Sequence, residues 1–358
     1  MGAHCSPRLG LGPTKTVLVT GASGYLGMFV VDALVKANTV KYGCSTKTSE
    51  KRYNVVAATG SVNPKEAVPE GAIGVQIDGT SYESIKAVLA KHKPTVIVNC
   101  MALTNPGACM DKPDLAEALN ACKSLVSAIK DTIPGALLIQ VSTDMVYSGN
   151  IKPGDLHTNK YPTKPLNKYG MTKKMAEDNI MATLKHFVIL RSSAIVGPKP
   201  PRASCKKSGT FLQMTINELK KEGKSPFFKE EKRSFVYVRD CVANISFFVD
   251  KYFYHYNTKY EGQSKQERVY CMGGKVSLSR DKFAEAVADA LELSKNAIDA
   301  MERKECKYKW AHKYASPKDI SMDSSRLFAL RGRDNLSVDE MIADMKSRGE
   351  LEVEASLL

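Results

Sequence analysis

Residues 16–27 read TVLVTGASGYLG. Val17 to Thr20 form an apolar, β-rich run, glycines follow at Gly21, Gly24 and Gly27, and a second apolar run opens with Met28, Phe29, Val30 and Val31. A strand, a tight turn and a helix in that order describe a phosphate site. Gly21 permits the turn, Gly24 lets a pyrophosphate approach the backbone, and Gly27 lets helix and strand pack closely. The helix N-terminus adds unpaired N–H groups and the positive end of the helix dipole. The spacing is GxxGxxG rather than GxGxxG, and its position directly behind a strand distinguishes it from an ordinary turn in a chain with 24 glycines.

Outward from this stretch, the first helix runs to about Lys36, and Thr39–Thr46 (TVKYGCST) reads as the second strand. In a dinucleotide site an acid about twenty positions beyond the first glycine holds the adenosine ribose of NAD. Here Ser45, Thr46 and Lys47 fill that region, Lys51 and Arg52 follow, and no acid stands in it before Glu50. Small hydroxyls beside basic side chains suit a 2′-phosphate, so NADP is expected rather than NAD.

Gly74–Asp78 reads as a third strand, with Asp78 and Gly79 placed to bracket adenine. A helix is expected over 81–91, stopped by Pro94, and Thr95–Cys100 (TVIVNC) has the continuous apolar character of a strand buried on both faces. A helix over 114–130 carries Asn120, Ala136–Ser142 (ALLIQVS) reads as the fifth strand, 168–184 as a helix and His186–Ser193 as the sixth strand. The alternation predicts a doubly wound α/β fold with a parallel sheet. Pro198–Ser208 (PKPPRASCKKS) then breaks the pattern and reads as a mobile loop or lid. Helices are expected over 211–222, 240–254 and 278–291, with strands near 235–238 and 268–272. The expected organisation is a leader over 1–15, a Rossmann domain over 16–197 with part of 235–275, a smaller α+β substrate lobe over 198–335, and a tail over 336–358. That tail opens with a capping box, Ser337 and Glu340.

The composition, 43% apolar and 25% charged over 358 residues, is that of a globular protein with a sizeable core. The nine cysteines are scattered without CxxC pairs and the six histidines are dispersed, so neither a disulfide framework nor a metal site is expected, and the reading is a reducing, cytoplasmic compartment. The formal charge of +14 is spread in short clusters among acids, with no arginine-rich arm, so no nucleic-acid partner is expected. Solvated helix faces account for it; attraction of a phosphorylated substrate and cofactor, or of an anionic membrane surface, are the sharper readings. Met1–Ser6 (MGAHCS) fits the pattern for myristoylation of Gly2, with Cys5 available for a second chain.

Tyr169 and Lys173 form a YxxxK pair. Four residues apart on a helix they share a face, and an ammonium beside a phenol favours the phenolate, so the tyrosine can pass a proton to or from an alcohol or carbonyl. The same spacing occurs at Tyr82/Lys86 and Tyr314/Lys318. Placement selects Tyr169, because the fifth strand ends in Ser142-Thr143-Asp144 at the sheet edge where α/β sites form.

GASGYLG at 21–27, VIVNCMA at 96–102, LNA around Asn120, VSTDMVYSG at 141–149, NKYGMTKKMAE at 167–177, LRSSAIVGP at 190–198 and RSFVYVRDCVANI at 233–245 follow one another as in the extended short-chain dehydrogenase/reductases, which the chain resembles over about residues 16–330. Within them it resembles the dTDP-4-dehydrorhamnose reductase branch. GCSTK, RVYCMGGKVSLSRDKFAEAVADAL and PKDISMDSSRL are similar to the regulatory β subunit of methionine adenosyltransferase. The resemblance implies Thr143, Tyr169 and Lys173 as the catalytic triad, with Asn120 anchoring Lys173 through water. It implies Gly21, Ser23, Gly24, Tyr25, Leu26 and Gly27 around pyrophosphate, and Ser45, Thr46 and Lys47 at the 2′-phosphate. Asp78 and Gly79 would meet adenine, Met101, Ala102 and Thr104 the ribose, and Ser193 and Ala194 the nicotinamide side. Phe211 and Arg233, with Val238 and Asp240, fall in substrate-lobe motifs.

Two departures stand out: the 198–208 insertion, which alters the expected substrate entrance, and Cys100 and Met101 where the branch commonly has alanines. The implied function is an NADP-dependent reductase of a keto group on a sugar nucleotide or similar phosphorylated substrate. The alternatives are an NADP-binding regulatory subunit docked on an enzyme partner and an NAD-retaining sugar-nucleotide epimerase or dehydratase. A homodimer is among the expected assemblies.

Overall fold

A computed structural model describes residues 15–38, 53–205, 209–255 and 263–351. Its centre is a seven-stranded, wholly parallel sheet. Six strands are β1 (Lys15–Thr20), β2 (Tyr53–Thr59), β3 (Ile73–Gln76), β4 (Val96–Asn99), β5 (Leu137–Thr143) and β6 (Phe187–Ser192). The seventh, Val269–Met272, pairs with β6, and the order across the sheet is Val269–Met272, β6, β5, β4, β1, β2, β3. The order reverses between β1 and β4, where a doubly wound sheet opens its ligand crevice.

Successive side chains of a strand point to opposite faces, and the sequence supplies apolar residues for both. Val17 and Val19 of β1 join Val55, Ala57, Val96 and Val98 in one core, under the helices α1 (Tyr25–Ala37) and Val238–His255. Leu18, Val56, Ala58, Ile97 and Leu138 face the other. There they pack beneath three helices, Tyr82–His92, Lys123–Thr132 and Lys168–Thr183, through Ile85, Leu89, Leu125, Ile129, Ala176 and Ile180.

The strand beside β1 is Tyr53–Thr59, in register from Lys15↔Tyr53 to Thr20↔Ala58. This corrects the expectation that 39–46 supplies the second strand; that segment lies outside the described residues. The helix expected over 114–130 is two helices, Pro113–Asn120 and Lys123–Thr132. Cys122 adopts a left-handed conformation (φ 56°) between them, turning its Sγ toward the Asn99 amide at 3.3 Å.

Beyond β6, the helix Phe211–Leu219 ends before the positive-φ turn at Gly223 (φ 89°). Leu278–Ser279 pair antiparallel with Lys232–Arg233, so the next helix begins at Arg280 and runs to Leu291. A further parallel ladder joins Ser225–Phe228 to Ile298–Met301. The expected capping box is present: the Ser337 hydroxyl accepts from the Glu340 N–H, and the Glu340 carboxylate accepts from the Ser337 N–H at 2.7 Å. Among the described residues no helix is long and apolar enough to cross a membrane. Gly2 and Cys5 lie outside the described residues.

Candidate functional site

The glycine turn closes directly on the sheet. Gly21 sits at φ 68°, where a Cβ would come within 2.7 Å of the Met101 nitrogen, so only glycine fits. A Cβ on Gly27 would fall onto the Gly21 carbonyl oxygen, which makes Gly27 the close-packing position. The Gly24 N–H donates to the Gly21 carbonyl at 2.9 Å, and α1 starts at Tyr25 with no side chain capping its first turn. The arrangement leaves exposed Gly24 and half-buried Ser23 at the mouth of a thirteen-residue helix. An anion is favoured there. Tyr25 and Leu26 point away from that mouth into the core, and the Tyr25 hydroxyl donates to the Pro198 carbonyl at 2.8 Å.

The YxxxK pair lies on the helix Lys168–Thr183, whose first turn is capped by Asn167 accepting from the Gly170 N–H at 3.0 Å. Its Tyr169 faces the end of β5. The Thr143 hydroxyl beside it eases ionisation of the phenol, but burial and the neighbouring Asp144 carboxyl together push its pKa well above the ordinary tyrosine value. Lys173 is 2% exposed, its ammonium donates to the Val141 carbonyl at 2.6 Å, and burial lowers its pKa against the pull of Glu177. The expectation of a phenolate favoured by an adjacent ammonium is therefore reversed in the resting site. The ammonium is held on a carbonyl, and desolvation keeps the phenol protonated.

Among the described residues Asn120 makes no direct hydrogen bond to Lys173. Its carboxamide instead bridges Leu103, accepting from that N–H at 2.7 Å and donating to that carbonyl at 3.0 Å, and donates to the Thr172 hydroxyl at 3.2 Å. It thereby ties the segment after β4 to the helix carrying Tyr169 and Lys173. In that segment Met101 packs against Gly79, where a Cβ would strike the Met101 thioether; Ala102 is half-buried and Thr104 exposed. Asp78 is exposed and turned onto Thr80, accepting from its N–H and hydroxyl at 2.9 and 2.7 Å.

Asp144 is the site residue that motif reading passed over, although it stands in the quoted STD triplet. It is 4% exposed, accepts from Ser193 at 2.9 Å and Thr143 at 3.2 Å, and burial raises its pKa. Ser193 thus has its hydroxyl committed to Asp144, while Ala194 accepts from the Val236 N–H at 3.1 Å. The only sign in the sequence was a carboxylate directly after the strand end.

Arg233 is 2% exposed and pulls Asp144 toward ionisation, but its guanidinium also holds the carbonyls of Lys232, Pro317 and Lys318. Beside it, buried Glu231 bonds Arg280 at 2.6 Å and also Arg303, which hold its carboxyl at about 2 despite burial. Phe211 stacks on Phe235 at 5.5 Å and lies under the Arg280 guanidinium at 4.9 Å. Asp240 accepts from the Leu336 N–H at 2.7 Å, and Val238 packs on Gly197. Ser45, Thr46 and Lys47 lie outside the described residues. Among the described residues no cluster of His, Cys, Asp or Glu gathers to hold a metal.

Residues 15–346 match the family model described as "RmlD substrate binding domain". The chain belongs to that family. Among curated RmlD-like relatives, methionine adenosyltransferase 2 subunit beta of Rattus norvegicus is 27% identical over 185 residues, 52% of this chain and 48% of that protein. The dTDP-4-dehydrorhamnose reductase of Streptomyces griseus is 29% identical over 192 residues, 53% of each chain. The chain spans about half the length of the curated relatives it matches. Among solved structures, the dTDP-4-dehydrorhamnose reductase of Bacillus anthracis in complex with NADP superposes with a TM-score of 0.70 at 20% identity, over 94% of this chain and all of that one. That likeness bears on the fold, which it shares.

Proposed function

We propose that this RmlD-family protein is an NADP-dependent reductase that converts a keto group on a sugar nucleotide, or a similar phosphorylated substrate, to an alcohol. One observation carries the reading. Thr143, Asp144, Tyr169 and Lys173 converge at the carboxyl end of β5, in the same sheet whose β1 ends in a glycine cradle. That cradle fits a dinucleotide: the Gly21 turn excludes a Cβ and the first turn of α1 has no side-chain cap. Gly21, Ser23, Gly24 and Gly27 would hold the pyrophosphate. When bound, the nicotinamide supplies a hydride to the keto carbon.

The chain's own groups manage the proton. A reductase needs its tyrosine protonated at rest, and burial with the Asp144 carboxyl keeps the Tyr169 phenol so through neutral pH. Tyr169 gives that proton to the substrate oxygen as the carbon is reduced, leaving a phenolate for which Lys173 is the nearest cation on its helix face. The Thr143 hydroxyl orients the same oxygen. A phosphorylated substrate would be drawn by Arg233, Arg280 and Arg303, three guanidinium groups around the single Glu231 carboxylate.

A second reading, a regulatory subunit that binds the nucleotide without turnover and docks on another enzyme, draws on the methionine adenosyltransferase relatives and on the resting placement of the Lys173 ammonium on Val141 rather than on the phenol. NADPH oxidation, followed optically against a panel of keto-sugar nucleotides, separates the two. Under the reductase reading wild type turns over, and Tyr169→Phe loses about 10²–10⁴-fold in kcat while binding NADPH as before. Tight NADPH binding with no turnover on any substrate refutes it in favour of the regulatory reading.

A further inference from the structure

The chain's single tryptophan faces solvent. Trp310 is 54% exposed and Tyr308 55%, the two most exposed large apolar side chains among the described residues. Exposed rings scattered singly are ordinary, but two that touch make a patch, and such patches mark contact sites.

The rings are held from beneath. They lie nearly parallel, 17° apart with centroids at 6.3 Å, and Trp310 rests 5.9 Å from the buried ring of Phe228. Phe228 ends the strand Ser225–Phe228 and packs with Cys306 and Ala311 under the loop. Arg303 stacks on Phe228 at 4.5 Å and donates to the Ala311 carbonyl, while the His312 ring bonds the Cys306 carbonyl at 2.6 Å. A platform preformed in this way loses little side-chain freedom when it docks.

The surroundings are basic. Residues 304–313 read KECKYKWAHK, so Lys307 and Lys309 flank Tyr308; both are exposed and pair with no carboxylate among the described residues. Lys304 bonds Glu302 at 2.8 Å and, with Lys318 and Lys229, holds that carboxyl below its ordinary value, so these three ammonium groups gather at one edge. The other acids there are engaged by backbone: Glu305 accepts from the Glu302 N–H at 2.8 Å, and Glu230 from the Arg303 N–H at 2.7 Å.

This mixture of rings and lysines selects among partners. Protein interface cores take up Tyr and Trp but are depleted in lysine. Single-stranded nucleic acid is tracked by rings spaced along a groove, whereas both rings here stand at one point. Amphipathic rings among lysines fit the membrane–water interface, where the rings sit at headgroup depth and the ammonium groups meet anionic lipid.

We propose that the Tyr308/Trp310 platform, with Lys304, Lys307 and Lys309, docks this protein on an anionic phospholipid surface. The docking is peripheral and depends neither on the cofactor and substrate reading nor on an acyl chain at Gly2.

The test sediments the full chain, made without acylation, with vesicles of phosphatidylcholine alone or mixed with phosphatidylserine. Because Trp310 is the only tryptophan, its emission reports the ring itself. Binding is expected only to the phosphatidylserine vesicles, weakening steeply as salt rises, with the emission moving to shorter wavelength. Lys307→Glu/Lys309→Glu is expected to lower binding at least about tenfold. Lys86→Glu/Lys91→Glu, an equal change of net charge at exposed positions of the helix Tyr82–His92, lowers it much less. No binding to anionic vesicles, an emission that does not move on binding, or equal losses in the two charge-reversed variants overturns the proposal. So does tighter binding to a poly(dT) oligonucleotide, which makes the surface a nucleic-acid platform instead.

Discussion

Removing the Glu177 carboxylate tests how the helix that carries Tyr169 and Lys173 is held. Glu177 is fully buried and Arg191 is 2% exposed; the pair meets at 2.7 and 3.1 Å, and Glu177 also accepts from Ser142 at 2.6 Å. Arg191 in turn donates to the Tyr147 hydroxyl at 2.9 Å and stacks 5.1 Å above that ring. Glu177→Ala leaves this guanidinium enclosed with neither its counter-charge nor water. Breaking one half of a buried pair costs about 3–5 kcal/mol, so urea unfolding is expected to show a loss of that size. Replacing both partners at once, Glu177→Leu with Arg191→Met, removes the stranded charge and is expected to cost less than Glu177→Ala alone, a coupling of about 2 kcal/mol or more in the double-mutant cycle. The same carboxylate lies one turn beyond Lys173 and works against the burial that lowers its pKa, so the single variant also makes the Lys173 ammonium easier to deprotonate. A single-variant cost below about 1 kcal/mol, or simple additivity in the cycle, would refute the claim that an enclosed ion pair anchors this helix.

Gly27→Ala forces a methyl onto the Gly21 carbonyl, where neither backbone can yield; a loss of about 1–3 kcal/mol in urea unfolding is expected, together with NADPH binding weakened more than about tenfold, and unchanged affinity would contradict the close-packing role. Tyr25, Tyr169 and Tyr237 are all pushed above the ordinary value of 10.0, chiefly by burial, so the folded chain keeps protons that the unfolded chain releases above that pH. The contribution of these tyrosines is fully present below pH 10 and declines as pH rises beyond it, on top of a decline that the buried Cys100, Cys122, Cys241 and Cys271, raised from 9.0, begin about one unit lower; urea midpoints taken from pH 8 to about pH 11.5 check this, a flat profile refutes it, and Tyr169→Phe should make the decline shallower.

The parallel sheet was legible because its strands are short, continuously apolar and separated by helical patterns, as TVIVNC and ALLIQVS show. The second strand was misread for a definite reason. TVKYGCST has the same β-rich character as YNVVAAT and lies at the customary distance from the glycines, and no local property separates them; what selects 53–59 is its pairing with β1, a tertiary fact. The expected 2′-phosphate residues, Ser45, Thr46 and Lys47, were placed by counting from the glycines and lie outside the described residues. The helix Lys168–Thr183 was read in the sequence over 168–184, and YxxxK alone marked its candidate chemistry. Its buried face carries Gly170, Thr172, Lys173, Ala176, Glu177 and Ile180, so two charged residues sit where an amphipathic pattern calls for apolar ones. The partners that make their burial tolerable come from β5 and β6, namely the Val141 carbonyl, Ser142 and Arg191. A helix that buries charge against backbone and strand partners is built to hold those charges in place, and its motif is visible in sequence because hydropathy cannot account for it.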